Sequence, residues 1–395
     1  APLRGHGGVR AAAEPRAFST VAAALGGAAP AAPAEESSAK VGGKRSLASL
    51  YWKLSKGKLT VWVSLSAIPG YLLAVPAAID PLTLAALSAG TFLTSASAQT
   101  MNQLIEVKRD ARMHRTAARP LPSGALSAAE AKLFAAGAGA SGLAMLSVGA
   151  TPLAAGIAGT TMATYAGVYT PMKVRSPYNT HIGAISGALP TLLGFSAALG
   201  TGLAASPWAA PAAWLFTMQV LWQMPHFYAL AWIHRADYQR GGYSMFPLTD
   251  KTGLETAAMC KPYLVALCAL PVAASSAGIA SWMLPVGCAL PSAVWWRALK
   301  RFEEQPSIGT CRRFFLGSLS YLLATLALFT AYARAEPVDG ATSAEPAWRV
   351  SLASRLAELC PHEQLKTDLF GLLGSSCPFG ERGQQRSSPP PPAPA

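Results

Sequence analysis

Half of the 395 residues are hydrophobic (51%) and only 13% are charged, about half the charged share usual for a soluble domain. That balance excludes an acidic, solvating or disordered chain and points to a bilayer. The formal net charge of +13 would suit nucleic acid, but no RNA- or DNA-binding pattern accompanies it, and its distribution follows membrane topology instead.

In chain order, residues 1–50 are rich in Ala, Arg and Ser and poor in acid until Glu35. They are read as a transit peptide and disordered leader, with RAFST at Arg16–Thr20 as a processing site cut after Phe18. Mitochondrial and chloroplast destinations share this composition. Nine apolar runs of about 20 residues follow, each long enough to cross a bilayer as a helix. They lie near Leu59–Ile79, Pro81–Met101, Leu133–Ala150, Pro152–Pro171, His181–Gly202, Ala209–Trp232, Pro262–Ser281, Trp282–Leu299 and Phe314–Ala333. The seventh and eighth join without an evident polar loop, so a re-entrant segment is an alternative there. Lys and Arg gather before the first run and after the even-numbered ones, which places those segments on the cytosolic or matrix side.

The expected fold is therefore all-α: a polytopic domain over residues 51–333 with nine transmembrane helices. After Ala333 a polar tail, residues 334–395, ends in SSPPPPAPA and reads as mostly disordered, with one short amphipathic helix over Trp348–Cys360. The six cysteines show no CxxC or metal-ligand spacing and read as packing residues, with Cys360 and Cys377 as the one candidate pair.

Three polar stretches interrupt the apolar pattern. The first is NQLIEVKRDARMHRTAARP, residues 102–120. On a helix continuing out of the second run, Asn102, Glu106 and Asp110 share one face, and such a row of oxygens suits Mg²⁺ bridging to phosphate. Arg115 and Arg119 repeat the spacing, offer planar forks to phosphate, and lead to a helix end at Pro120. The plainer reading is interfacial charge paired along the helix.

The second stretch, YTPMKVRSPYNT, brings Lys173 and Arg175 to the same membrane side, either as ordinary positive-inside residues or as ligands for a phosphate or propionate. The third, WQMPHFYALAWIHRADYQRGGYSMFPLTD, carries His226, His234 and Asp237. An intramembrane His is a functional candidate: His226 suits iron ligation, proton acceptance or a hydrogen bond to a carboxylate, or else is satisfied by a backbone carbonyl. All three stretches follow even-numbered runs, so topology alone brings them to one face.

Together these motifs resemble the protohaem IX farnesyltransferase branch of the intramembrane aromatic prenyltransferase superfamily, over roughly residues 51–333. The resemblance implies a helix bundle around a lipid-open central cavity. It also implies conversion of haem B and farnesyl diphosphate to haem O, with Mg²⁺ as cofactor and haem B as substrate. By it, Asn102, Glu106 and Asp110 match the metal-diphosphate motif, Arg115 and Arg119 its phosphate-binding arginines, Lys173 the second stretch, and His226 and Asp237 the third. Arg175 is a further substrate-binding candidate. A mitochondrial inner-membrane location, a lipid bilayer environment and haem A synthase as a partner follow from the same resemblance. Three positions depart from the family pattern: Gln99 stands in place of Asn, Val174 separates the basic pair, and Thr191 follows Pro190. Competing expectations are prenyl transfer to a quinone precursor or a chlorophyllide, and a haem or lipid transporter without catalysis.

Overall fold

The computed structural model describes residues 46–74 and 78–334. The transit peptide, the tail with its amphipathic helix, and the Cys360–Cys377 pair lie outside the described residues. What is described is helical, and the only β-type pairing is an isolated bridge between Ala280 and Ala333.

Helix α1, Leu47–Leu54, leads into α2, Gly57–Ala74. α3 runs from Pro81 to Asp110; Pro81 occupies its first turn, where no amide is needed, and Asp80 accepts from the amides of Leu82 and Thr83. α4, Ala128–Gly149, opens with a Ser127–Glu130 capping box, and α5, Pro152–Ala163, opens on Thr151. α5 widens into a π-helical stretch, Thr164–Tyr169, before a last α-turn, Thr170–Met172. α6 spans Asn179–Leu199, α7 Ala209–Ile233, the short α8 Arg235–Arg240, and α9 Leu254–Ser276. α10, Met283–Glu304, and α11, Ile308–Tyr332, complete the described chain.

By length and composition, four of the described helices can cross a bilayer: α4, α6 with its 3₁₀ extension to Ala205, α9 and α11. Large apolar side chains point outward from the helices: Val148, Leu82, Leu133 and Leu290 are 89%, 80%, 77% and 70% exposed. In water such a surface would aggregate; hydrocarbon solvates it.

Helices extend past several predicted runs because the flanking polar turns are helical too. α9 begins at Leu254, ahead of the run predicted from Pro262, and α10 continues beyond Leu299 to Glu304. Between them Gly278 takes a left-handed φ of 76°, and the break at residues 277–282 is tied to the end of α11 through Ser281 N–H to Tyr332 O and Arg334 N–H to Ile279 O. That pairing supplies backbone partners where the sequence shows no polar loop.

α3 ends at Asp110, and the helix expected to run on to Pro120 is absent. The physical reason is local. Thr116 Oγ1 donates to the Asp110 carbonyl (2.9 Å), and the amides of Met113, Thr116, Ala117 and Arg119 close successive turns. The chain therefore folds back over the end of α3 instead of extending it.

Candidate functional site

At the end of α3, Asn102, Glu106 and Asp110 fall on one buried face, at 0%, 4% and 1% exposure, as their spacing predicted. Each faces a cation. Arg119 Nη1 donates to Asp110 Oδ2 at 2.7 Å, Lys173 Nζ to Glu106 Oε1 at 2.9 Å, and Lys56 Nζ to Asn102 Oδ1 at 2.8 Å.

Arg119 reaches Asp110 because the turns after α3 curl back, a closure that the helical expectation did not contain. Lys173 follows the widened end of α5, and its carbonyl accepts from the Ser244 amide at 2.7 Å. Asn179 Nδ2 binds the Ser244 carbonyl as well, so the loop after α5 is stitched to the loop after α8. Burial opposes the Lys173 charge, but the Glu106 carboxylate outweighs it and raises the ammonium above its ordinary range. Lys173 Nζ also sits 4.6 Å from the Tyr169 ring centroid.

Lys56 was missing from the predicted site, where it counted only among the basic residues flanking the first run. Two features mark it out. Its φ of 50° is the one left-handed non-glycine among the described residues, a conformation that costs about 1–2 kcal/mol. Gln103 Nε2 binds the carbonyls of Lys53 and Leu54, pinning the end of α1 to α3 and delivering Lys56 to Asn102. Burial lowers the Lys56 ammonium well below its usual range, and Arg119 and Lys173 add to that effect. The sequence signal that marks it is faint: a lysine beside Gly57 at the only break before α2.

Asn102 uses its second group as well, donating from Nδ2 to Thr170 Oγ1 at 3.0 Å. Gln99, one turn earlier, accepts from Tyr165 Oη at 2.9 Å. Gln99 therefore holds the π-helical stretch against α3, a structural use for the family departure at this position. A cavity of about 180 Å³ adjoins the cluster, lined by Glu106, Arg109, Thr170 and Arg175 among others. Val174, the residue between the basic pair, lines it too.

Other predicted residues lie apart from the ion cluster. Arg115 is exposed and stacks on Tyr238, 5.7 Å from its ring centroid. Asp237 accepts from the His114 amide at 3.1 Å and pairs with Arg240. Burial opposes its charge, but the Arg240 and His114 donors dominate and hold its carboxyl below the usual range. Both residues thus join the loop after α3 to α8. His234 lies just past the end of α7, where burial and then Arg115 push its imidazole down to about 4, keeping it neutral at pH 7. The predicted continuous helix through Asp237 is broken at His234.

His226 sits inside α7, and a backbone carbonyl is not what satisfies it. Its Nδ1 meets Ser318 Oγ of α11 at 2.8 Å, and its ring lies between Trp222 and Phe315.

The donor set at the end of α3 fits a hard divalent cation. Its ligating atoms are oxygens, and Asp110 Oδ1 is buried with no hydrogen-bond partner. Among the described residues no group of three His, Cys, Asp or Glu is poised for a metal, so a cation here would draw on two carboxylates and the Asn102 amide oxygen.

The comparisons agree with this geometry. The chain is 39% identical over 277 residues to "Protoheme IX farnesyltransferase, mitochondrial" of Arabidopsis thaliana, covering 70% of this chain and 63% of that one. It is 37% identical over 281 residues to "Protoheme IX farnesyltransferase" of Solibacter usitatus, covering 69% and 94%. A Neurospora crassa relative with the mitochondrial name is 37% identical over 306 residues, with 59% of its length covered. The chain thus spans less than two thirds of the plant and fungal relatives. Among solved structures it is similar to one described as "Structural and mechanistic insights into the biosynthesis of Digeranylgeranylglyceryl phosphate synthase in membranes". That likeness has a TM-score of 0.58 at 20% identity and covers 71% of this chain and 96% of that one. It is also similar to the "Apo structure of a UbiA homolog from Aeropyrum pernix K1", with a TM-score of 0.53 at 17% identity, covering 72% and 98%. Residues 63–333 match the UbiA prenyltransferase family, and with the helical fold and the ion cluster on the page, the chain belongs to that family.

Proposed function

We propose that the protein transfers the farnesyl group of farnesyl diphosphate to a vinyl group of haem B, giving haem O and diphosphate. The observation that carries this reading is the buried cluster in which Asn102, Glu106 and Asp110 meet Lys56, Arg119 and Lys173. The relatives' names supply the acceptor, and a His at position 226 in place of an acidic motif supports it. Nine membrane-crossing helices around a lipid-open cavity, in the mitochondrial inner membrane with the basic loops toward the matrix, are part of the same proposal. Haem A synthase, which would consume the product, is its proposed partner.

Asn102, Glu106 and Asp110 would hold Mg²⁺, with Asp110 Oδ1 the atom that has no other use. When bound, the ion would neutralise diphosphate and stabilise charge as the bond to farnesyl carbon 1 breaks. Arg119 and Lys173 are positioned to follow the departing oxygens, each such donor being worth about 3 kcal/mol in the transition state. The C1–O electron pair leaves with diphosphate, the vinyl π pair forms the new carbon–carbon bond, and water adds to the resulting cation and releases a proton. Arg175 at the cavity rim and Arg115 on Tyr238 would guide the diphosphate inward, and Asp237 would keep that loop in place.

The test is mass spectrometry of haems extracted from bacteria that lack their own haem O synthase and express the full chain. A haem O peak that disappears with Asp110→Ala supports the reaction and the site. Prenylated quinone precursor or chlorophyllide without haem O would replace the acceptor, and haem or lipid movement without any prenyl transfer would replace catalysis.

A further inference from the structure

The ring of His226 is held on three sides by side chains and backbone from α7 and α11. Trp222 stacks on one face, with centroids 4.7 Å apart and planes 28° apart, and Phe315 on the other at 4.5 Å and 29°. Trp222 is itself fixed, its Nε1 donating to the Ser318 carbonyl at 2.7 Å. The third constraint is the contact of 2.8 Å between His226 Nδ1 and Ser318 Oγ.

The direction of that last bond follows from counting protons. Ser318 has one hydroxyl proton and donates it to the Phe315 carbonyl at 2.6 Å, an acceptor that has nothing to give back. Toward His226 the hydroxyl can then only accept. Nδ1 must carry the hydrogen, and Nε2 is left with a bare lone pair. Nε2 has no hydrogen-bond partner among the described residues, and the side chain is only partly buried. A histidine that donates from one nitrogen to a fixed acceptor while presenting the other as a lone pair is how metal-binding imidazoles are prepared.

We infer that Ser318 is a positioning residue that fixes the tautomer of His226, and that Nε2 of His226 is the axial ligand to the iron of the porphyrin acceptor. This rests on the haem B reading above. It adds to it an anchor: iron ligation at a ring with no freedom to turn sets the plane of the macrocycle and so chooses which rim faces the prenyl carbocation. The imidazole serves here as a handle on the acceptor, separate from the ions that hold the diphosphate.

The experiment adds ferric haem B to the purified full chain in lipid nanodiscs and reads the absorption and electron paramagnetic resonance spectra, with haem O synthesis measured on the same preparation. The wild-type protein is expected to give a histidine-ligated signature, His226→Gly to lose it, and added imidazole to restore it. Ser318→Ala is expected to weaken haem B binding by about 10- to 100-fold, the usual cost of losing the partner of a ligating histidine, while its thermal transition stays cooperative. Retention of the wild-type spectrum by His226→Gly overturns the ligation, and unchanged affinity in Ser318→Ala overturns the positioning role. If haem O forms but the spectrum does not depend on His226, this inference fails alone. If the wild-type protein neither binds haem B nor makes haem O, the proposed function fails and takes the inference with it.

Discussion

Two halves of the molecule are packed by different means. Around α2, α4, α5 and α6 the core is small and aliphatic, with Ala67, Ala154, Ala158, Ala197 and Leu193 at its centre. Backbones approach closely: a Cβ at Gly194 would run into the Ala67 carbonyl, and one at Gly142 would lie 2.9 Å from the Gly90 carbonyl. Around α7, α9, α10 and α11 the core is aromatic, and the indoles of Trp214, Trp222, Trp232 and Trp295 each donate to a backbone carbonyl. The ion cluster is built on α3 and the end of α5, beside the small-residue core, whereas His226 belongs to the aromatic half. The difference teaches a division of labour. Close backbones fix charges to within a few tenths of an ångström, and broad rings shape the surroundings of a flat acceptor.

The sharpest break of this comparison is at the ions. Asp110→Ala should lower haem O formation at least about 100-fold, the scale of losing an electrostatic stabiliser, while leaving haem B affinity intact because that binding belongs to the other half. Turnover and haem titration on the same preparation check both parts. Next in size, Lys173→Met leaves Glu106 buried without its partner and should cost about 3–5 kcal/mol, seen as a lowered thermal transition in detergent. The double variant Lys173→Met/Glu106→Gln should recover much of that loss.

Packing changes should divide in the same way. Gly194→Ala forces α6 from α2 and should cost about 1–3 kcal/mol or more. Trp295→Phe keeps the aromatic bulk, loses one buried hydrogen bond to Phe314 (3.1 Å), and should cost about 1–2 kcal/mol. Equal losses in thermal unfolding would erase the distinction between the two cores.

Asp250 offers a smaller, pH-dependent test. Its carboxylate accepts from the amides of Thr252, Gly253 and Thr256 and from the hydroxyls of Thr252 and Thr256. Burial opposes ionisation, but these donors prevail and hold its carboxyl below the ordinary range. A depressed folded-state value means the stabilisation is complete above the unfolded carboxylate value, about 3.9, and is lost as pH falls through the folded one. Asp250→Asn should therefore lower the thermal transition at neutral pH and flatten its decline in acid. Smallest of all, Arg115→Ala should raise KM for farnesyl diphosphate a few-fold with kcat nearly unchanged, since this side chain stands outside the ion cluster.

Local sequence carried the parts of this architecture that local physics decides. Apolar length marked the helices, and a spacing of four put Asn102, Glu106 and Asp110 on one face, because a helix has the same period wherever it occurs. Distant closure was hidden. That Arg119 folds back on Asp110 depends on Thr116 ending the helix, a choice that RTAARP does not distinguish from another helical turn. The Lys56–Asn102 bond joins segments 46 residues apart, and Asp237 meets His114 across 123. Ser318 carries no signal by itself; a serine in an apolar run reads as filler until α7 is packed against it.

The wide stretch at Thr164–Tyr169 has a genetic consequence. A π-type turn holds one residue more than an α-turn, and such turns are read as single-residue insertions. Loss of one codon from this stretch would leave every flanking residue chemically unchanged and the helix longer in regular hydrogen bonds. Everything after the deletion would be rotated by about 100°, the angle one residue subtends, and Lys173 would leave Glu106 for another face. The segment thus sets a reading frame in space: the irregular turn keeps the charge in phase, and a shorter, more regular helix would carry the same letters out of register.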